Sequence, residues 1–328
     1  MEYRKFGRTG LEVSAVVFGG GRVGGILIDP DDDTKREAIR KAMDAGINWI
    51  DTAAQYGNGK SEEALGWLLK EIDEKPYLST KVRVDTANLK DIAGQVEKSM
   101  HDSLTRLQRD SVDLLQLHND IEPRASAKGA LGQDDILRRG GVADAMDALR
   151  EQGLTRFIGL TAFGDAPAIR NTIASGRFDS AQVYYNMLNP SAAWPVPAGW
   201  SGHDFSGILA ACAEQGMATL GIRAFAAGVL ATDIRHGRES VLTRGSAIAD
   251  EEARCRAAFD AIGPVPGSRA QTALRFALSQ PALSCVVVGL AELNHLDQVI
   301  GAEETGPLPD AVLARLKPLY ASDFGRLP

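Results

Sequence analysis

The sequence predicts an α/β fold, a single (β/α)8 TIM barrel over residues 1–328 with a short N-terminal β-hairpin and long C-terminal-face loops. Three observations carry this. Eight short apolar runs alternate with helix-period segments along almost the whole chain. Strands that alternate with helices pair in parallel through crossover units. Eight such units in 328 residues fit the size of this barrel.

Residues 1–10 read as the hairpin. The candidate strands are Val13–Phe18, Asn48–Thr52, Tyr77–Lys81, Leu114–His118, Phe157–Thr161, Ser180–Tyr184, Ala218–Ala224 and Cys285–Val288. Helical patterns lie between them. Thr34–Ala45 follows the acidic run Asp31-Asp32-Asp33, which suits a helix N-terminus. Ser61–Glu71 has Ser61 as its expected N-cap. Leu89–Leu107, Gly141–Gln152, Pro167–Ser175, Phe205–Gln215 and Ser268–Ser279 complete the set.

Three segments break the repeat: 119–140, 186–204 and 231–250 follow the fourth, sixth and seventh strands. Barrels build their sites after the C-terminal ends of strands. Trp194 and Trp200, in the Pro/Gly-rich second segment, read as a substrate wall.

Composition narrows the function. Hydrophobic residues make up 44% and charged residues 24%, as in ordinary globular chains. A net charge of −7 argues against wholesale binding to nucleic acid or an anionic membrane. No apolar run reaches the length of a membrane span, and the polar N-terminus lacks a signal-peptide core. Cys212, Cys255 and Cys285 are few, odd in number and far apart, which fits reduced thiols in the cytoplasm. Cys285 sits in an apolar run and reads as core. Oligomeric state stays open.

Residues 19–24, GGGRVG, match the glycine spacing of a dinucleotide fingerprint through Gly19, Gly21 and Gly24. That fingerprint requires a helix to open within the motif. Here the helical pattern starts only near Thr34, so the match is weak. Glycines that let a cofactor approach the backbone remain the plainer reading.

The chemistry gathers at strand ends. The second strand runs to Asp51, with Tyr56 just beyond; the third ends at Lys81 and the fourth at His118. On a parallel barrel these ends meet at one mouth. Each residue alone has a bland reading: a helix cap, a solvated lysine, a satisfied core histidine. Four ionisable groups at equivalent positions are harder to dismiss. A phenol has an ordinary pKa near 10, and an adjacent ammonium stabilises its phenolate. A carboxylate holds that ammonium, and a histidine orients a carbonyl or shares the proton. Such a site donates a proton to a carbonyl oxygen as hydride reaches carbon, or does the reverse. No metal-ligand spacing and no nucleophile elbow is present, so no metal is expected.

At this point the sequence resembles the aldo-keto reductase family, nearest in pattern to bacterial aldose and pyridoxal dehydrogenase-like members. KFGRTGLEVSAVVFGGG, GINWIDTAAQYGNGKSEEALG, LSTKV, VDLLQLH, IGLTAF, AQVYYN and VVVGLAELNHLDQVI carry the resemblance across nearly the whole chain. It implies an extended NAD or NADP at the C-terminal mouth and a tetrad of Asp51, Tyr56, Lys81 and His118. Tyr56 is the implied general acid/base, tuned by Lys81 and Asp51, with His118 positioning the substrate.

The implied cofactor contacts begin with Gly19, Gly20 and Gly21 at the nicotinamide ribose, where Asp51 also borders the site. The carboxamide falls to Thr161, Ala162 and Gln182; the alanine stands where the family often has asparagine. Ile222 takes the place of the usual aromatic that stacks on nicotinamide. Arg223 reads either as a pyrophosphate donor or as a buried ion-pair partner. Ala224, Phe225, Gly228 and Leu230 continue the pyrophosphate turn. Gly289, Leu290, Ala291, Glu292, His295 and Gln298 fall at the adenosine end. Relatives that use NADP often place Lys or Arg just after the glycine, whereas Glu292 would repel a 2′-phosphate. Charge therefore favours NAD over NADP, with His295 as a partial counterweight.

The leading expectation is an NAD(P)-dependent oxidoreductase acting between nicotinamide and a small carbonyl, alcohol or sugar substrate. The alternative is a nucleotide-sensing binding subunit with little turnover, and the intact tetrad argues against it. A phosphate-handling isomerase on the same barrel is disfavoured, because no glutamate ends a strand.

Overall fold

A computed structural model describes residues 1–21, 23–235, 237, 241 and 246–327. β1 (Tyr3–Lys5) pairs antiparallel with β2 (Glu12–Ser14). Then come β3 (Val16–Gly19), α1 (Asp32–Asp44), β4 (Trp49–Asp51), α2 (Lys60–Leu68), β5 (Tyr77–Val82), α3 (Ile92–Leu107) and β6 (Val112–Leu117). The loop after β6 holds a two-residue pair, β7 (Ile121–Glu122) with β8 (Leu131–Gly132), and the short α4 (Gln133–Leu137). α5 (Val142–Glu151), β9 (Thr155–Ala162), α6 (Ala166–Ala174), β10 (Ser180–Tyr184), α7 (Ile208–Glu214) and β11 (Ala218–Ile222) resume the alternation. α8 (Ile248–Ile262), α9 (Arg269–Leu278), β12 (Cys285–Gly289), α10 (Leu293–Thr305) and α11 (Asp310–Ala321) follow. β3, β4, β5, β6, β9, β10, β11 and β12 close into a barrel of parallel pairs.

All eight expected strands are present, with corrections at their edges. The run Val13–Phe18 is not one strand: it breaks at Ala15, its first part serving the hairpin and its second the barrel. Ser61 is not an N-cap. α2 starts at Lys60 after Gly59, and the buried Ser61 hydroxyl instead meets Thr52 Oγ1 at 2.8 Å. The acidic run does cap: Asp31 accepts the Thr34 N–H at 2.8 Å. α8, α10 and α11 were not expected from the periodicity. α8 turns Glu251, Arg254, Cys255, Ala258 and Ile262 inward, and its two charged residues pair at 3.1 Å. A buried face that contains an ion pair hides the apolar period. Part of the segment 231–250, and Arg22 of the GGGRVG motif, lie outside the described residues.

Two cores result. One fills the space between strands and helices. The other fills the N-terminal end of the barrel, where the hairpin's Phe6 lies 4.7 Å from the Trp49 ring, centroid to centroid. Arg8 binds the carbonyls of Gln215, Gly176 and Phe178, which precede β10 and β11. The N-terminal end is thus plugged, and Cys285 belongs to that plug as expected. The loops 119–140 and 186–204 leave their strands at the opposite, C-terminal end. Trp194, in the second of these, packs against α9 and α11, 6.1 Å from Phe276 and 5.5 Å from Tyr320, and Trp200 lies 6.0 Å from Phe324, just beyond α11. No helix among the described residues is long and apolar enough to cross a membrane.

Candidate active site

The C-terminal end gathers the four ionisable residues. Asp51 is the last residue of β4, and Lys81 lies one residue from the end of β5. His118 follows β6 directly, its N–H held by the Val82 carbonyl at 2.8 Å. Tyr56 sits on the loop after β4, and the chain reverses immediately beyond it. Gly57, Asn58 and Gly59 all have positive φ, at 62°, 53° and 94°. A Cβ on Gly57 would come within 2.8 Å of Ile28. Glycine meets both demands there, a left-handed backbone and a close neighbour.

Lys81 is 0% exposed and its ammonium has three acceptors: Asp51 Oδ2 at 2.5 Å, the Thr52 carbonyl at 2.7 Å and the Tyr56 hydroxyl at 3.3 Å. An ammonium has three protons and no lone pair. The phenol oxygen therefore accepts from Lys81, which leaves the phenol's own proton free for another acceptor. The ammonium also lies 4.8 Å from the Tyr56 ring centroid. Burial opposes the Lys81 charge. The Asp51 carboxylate and then Tyr56 more than offset it, so the ammonium titrates above the ordinary lysine range.

Asp51 is fixed from its other oxygen. Oδ1 accepts from Ser79 Oγ at 2.7 Å, Gln182 Nε2 at 3.0 Å and Gln116 Nε2 at 3.2 Å, and Trp49 Nε1 donates to Ser79 Oγ at 3.0 Å. Four strands thus converge on one carboxylate. Sequence reading missed Ser79 and Gln116. Ser79 and Gln116 stand two residues before Lys81 and His118, so the strand period of two places each on its partner's face. His118 Nδ1 lies 2.6 Å from Gln55 Oε1, and its ring is edge-on to Tyr56 at 5.9 Å. Burial, then the charges of Lys81 and Arg83, push its pKa down to about 3.

The expected cofactor residues line the same mouth. Gly21 faces the phenol: a Cβ there would touch Tyr56 Cζ at 3.6 Å. Gly19 and Gly20 have no such room, since a Cβ would fall 2.6 Å from the Val288 carbonyl and 2.5 Å from Ser61 Oγ respectively. Thr161 and Gln182 are register partners on β9 and β10. The buried Thr161 Oγ1 has no hydrogen-bond partner among the described residues. Gln182 spends Nε2 on Asp51 and keeps its amide oxygen. An orphan hydroxyl beside an amide oxygen fits a carboxamide, so these residues suit a nicotinamide. Ala162 is buried and brings no polar side-chain atom.

After Ile222 the backbone is strained. Arg223, Ala226 and Ala227 take φ of 62°, 46° and 57°, conformations costly for residues with a Cβ. Asn186 Nδ2 holds the Arg223 carbonyl at 2.9 Å. Arg223 lines a small cavity with Glu251, half-buried between the two roles expected of it. Phe225 is half-buried, and Gly228 has open space around it at φ 99°. Ala224 and Leu230 are core side chains, so only their backbone can reach a ligand.

At the last loop Gly289 and Glu292 are exposed, while Leu290 is fully buried. The Leu290 carbonyl accepts the Ile26 N–H at 3.1 Å, which joins the first and last loops. His295 Nδ1 accepts the Ala291 N–H at 3.2 Å. Gln298 Oε1 accepts from Ser268 Oγ at 2.6 Å.

The sequence profile of the Aldo/keto reductase family matches residues 15–321. L-galactose dehydrogenase of Arabidopsis thaliana is 38% identical over 164 residues, 49% of this chain and 48% of that protein, so the match spans about half its length. Pyridoxal 4-dehydrogenase of Microbacterium luteolum is 27% identical over 339 residues, 93% of this chain and 94% of that protein. The solved holo form of aldo-keto reductase AKR11C1 from Bacillus halodurans superposes with a TM-score of 0.73 at 21% identity, covering 98% of this chain and 97% of that one, which establishes the common fold. With the family profile running through every barrel strand and the fold in common, this chain belongs to the aldo/keto reductase family of oxidoreductases.

Proposed function

We propose that the protein is an NAD(P)-dependent oxidoreductase that interconverts a carbonyl and an alcohol on a small polar aldehyde, ketone or sugar. The observation that carries this reading is the Lys81 ammonium, held between the Asp51 carboxylate and the Tyr56 phenol in a site sealed from below. The dinucleotide, when bound, supplies or takes the hydride. The chain's own residues handle the proton. Tyr56 donates it to the substrate oxygen in reduction and recovers it in oxidation. Lys81, already donating to the phenol oxygen, stabilises the charge left there, and Asp51 keeps Lys81 charged and in place. His118 orients the substrate.

Thr161 and Gln182 would hold the carboxamide, with Gly19, Gly20 and Gly21 beside the ribose. Arg223 and the 224–230 backbone would take the pyrophosphate, and the segment from Gly289 to Gln298 the adenosine. An exposed Glu292 supports NAD over NADP, with His295 as a partial counterweight. Dehydrogenase names among the relatives agree with oxidation of an alcohol or sugar lactol. The three buried free thiols support a cytoplasmic setting. A cofactor-coupled screen of sugars, aldehydes and alcohols, run with both NAD(H) and NADP(H), tests the reading. Turnover in at least one pair is expected, and its absence throughout would favour a binding subunit instead.

A further inference from the structure

Gln116 Oε1, Thr161 Oγ1 and Ser180 Oγ are buried in the barrel without a hydrogen-bond partner among the described residues. Gln116 and Ser180 are 0% exposed and Thr161 9%. An unpaired buried polar atom is costly, and native proteins pair nearly all of them, using ordered water where protein groups fall short. The strand register brings these three together. Gln116 on β6 and Ser180 on β10 both stand opposite Gly159 of β9. Gly159 contributes no side chain, and its neighbours lean over it: a Cβ there would fall 2.3 Å from Ser180 Oγ and 3.3 Å from Gln116 Cγ. Thr161 stands two residues further along β9, so its side chain is on the same face, about 6.6 Å higher. That rise is close to the span of two hydrogen bonds in series. Charge decides which end of the Gln116 amide is left over. Nε2 faces Asp51 Oδ1 at 3.2 Å, and a carboxylate only accepts, so the unpaired end is the oxygen.

We propose that Gln116, Thr161 and Ser180 hold one internal water over Gly159, and that this water keeps Gln116 aimed as a donor at Asp51. The water donates to Gln116 Oε1, and the Ser180 and Thr161 hydroxyls supply its other partners. Three partners is the usual number for a buried water. A threonine hydroxyl has one proton and two lone pairs, so Thr161 serves the water and a carboxamide N–H at once. Gln116 is then a positioning residue. Without the water its amide oxygen is unpaired, and nothing opposes its rotation away from Asp51. The carboxylate would then hold Lys81 with two donors, Ser79 and Gln182, in place of three. The contacts run from Ser180 through the water to Gln116, Asp51, Lys81 and Tyr56. The water site stands by itself; the kinetic part of the test rests on the carbonyl–alcohol reading above.

A high-resolution crystal structure of the full chain reads the site without turnover. A density peak about 2.7–3.2 Å from Gln116 Oε1, Ser180 Oγ and Thr161 Oγ1 is expected. Ser180→Val puts a methyl in place of the hydroxyl and adds a second, so it should displace the peak and turn Gln116 Nε2 off Asp51. Ser180→Ala leaves room for a second water in place of the hydroxyl, so it should keep both the peak and the Gln116 orientation. In kinetics, Ser180→Val should lower kcat by about tenfold with the substrate KM little changed, the loss of one hydrogen bond to a charged group. Ser180→Ala should recover most of that loss. Gln116→Leu should lower kcat as much as Ser180→Val, and combining the two should add little, because both act through one contact. Thermal melts check folding; if Ser180→Val does not fold, the wild-type density and Gln116→Leu carry the test. A direct Ser180–Gln116 hydrogen bond with no peak among the three atoms overturns the water site. Effects of the two substitutions that multiply, or a change confined to KM, overturn the positioning role. A water at the three atoms in a protein inert across the whole cofactor-coupled screen upholds the site and overturns the carbonyl–alcohol reading instead.

Discussion

Lys81 Nζ lies 2.5 Å from Asp51 Oδ2 inside the barrel, and neither charge reaches solvent: Lys81 is 0% and Asp51 2% exposed. Desolvating two ions is costly, and the three donors on Asp51 Oδ1 are what make the pair tolerable. Removing one partner strands the other. Lys81→Met is expected to cost about 3–5 kcal/mol, read as a lowered urea midpoint. The pH dependence follows from the raised Lys81 pKa. Its contribution is complete below the ordinary value of 10.5 and is lost as pH rises through the higher folded value. Wild-type stability should therefore fall above about pH 10.5, and Lys81→Met should lack that fall. Parallel alkaline curves for the two proteins would contradict the assignment.

Tyr56→Phe removes only the hydroxyl that Lys81 contacts at 3.3 Å. The ring stays, and with it the surface facing Gly21. The expected result is a fall in kcat of about 10²–10⁴-fold, the usual worth of a general acid, with dinucleotide affinity little changed. Stopped-flow hydride transfer and a binding titration measure the two separately. Full activity would end the proposed role of Tyr56.

His118 gives an acid-side prediction with the opposite sign. Its folded pKa, pushed down to about 3, is below the ordinary 6.5, so the unfolded chain takes up the proton first. Its contribution to stability is intact above about pH 6.5 and is lost as pH falls from there toward about 3. His118→Asn should therefore lose less stability than wild type between about pH 7 and about pH 4. Urea midpoints at several pH values decide it; an equal loss would mean that His118 titrates normally.

The barrel was legible because its strands are apolar runs bounded by glycine and charge, and because Asp51, Tyr56, Lys81 and His118 stand at repeating positions of a repeating unit. What hid was polarity turned inward. α8 buries Glu251 and Arg254 as a pair, so its apolar period is broken. Gln116 and Ser79 read as ordinary polar residues until the register sets them beside Asp51. The contact of Gln55 with His118 had no local signal, since the two are 63 residues apart. Contacts between loops depend on how strands are staggered around the barrel, and residue spacing within one loop carries no record of that.

Glu292 tests cofactor choice. It is exposed at the N-cap of α10, three residues before His295, whose Nδ1 lies 3.2 Å from the Ala291 nitrogen. Glu292→Lys replaces a repelling charge by one that can pair with a 2′-phosphate. A charge-assisted hydrogen bond is worth about 1.5–3 kcal/mol, so the ratio of NADP to NAD affinity should rise by about tenfold to a hundredfold. Fluorescence titrations with both dinucleotides give the ratio. An unchanged ratio would move the specificity determinant elsewhere in the last loop.

Gly24 and Gly228 separate two reasons for a glycine at the mouth. A Cβ on Gly24 would fall 2.3 Å from the Leu290 carbonyl oxygen and 2.4 Å from its nitrogen, and neither backbone atom can rotate aside. The first loop would have to lift from the last, which breaks the Ile26 N–H bond to that carbonyl at 3.1 Å. Gly24→Ala should therefore destabilise by about 1–3 kcal/mol, as overpacking does, and should also weaken dinucleotide binding, because the two loops flank one site. Gly228 has nothing within 4 Å of the added Cβ, yet its φ is 99°. Gly228→Ala meets backbone strain alone, about 1 kcal/mol, and should leave the first loop where it is. Thermal melts and dinucleotide titrations on both variants distinguish the cases. If Gly24→Ala melts and binds like wild type, the contact between Gly24 and Leu290 does not hold the mouth together, and the glycine at position 24 is left without a structural cause.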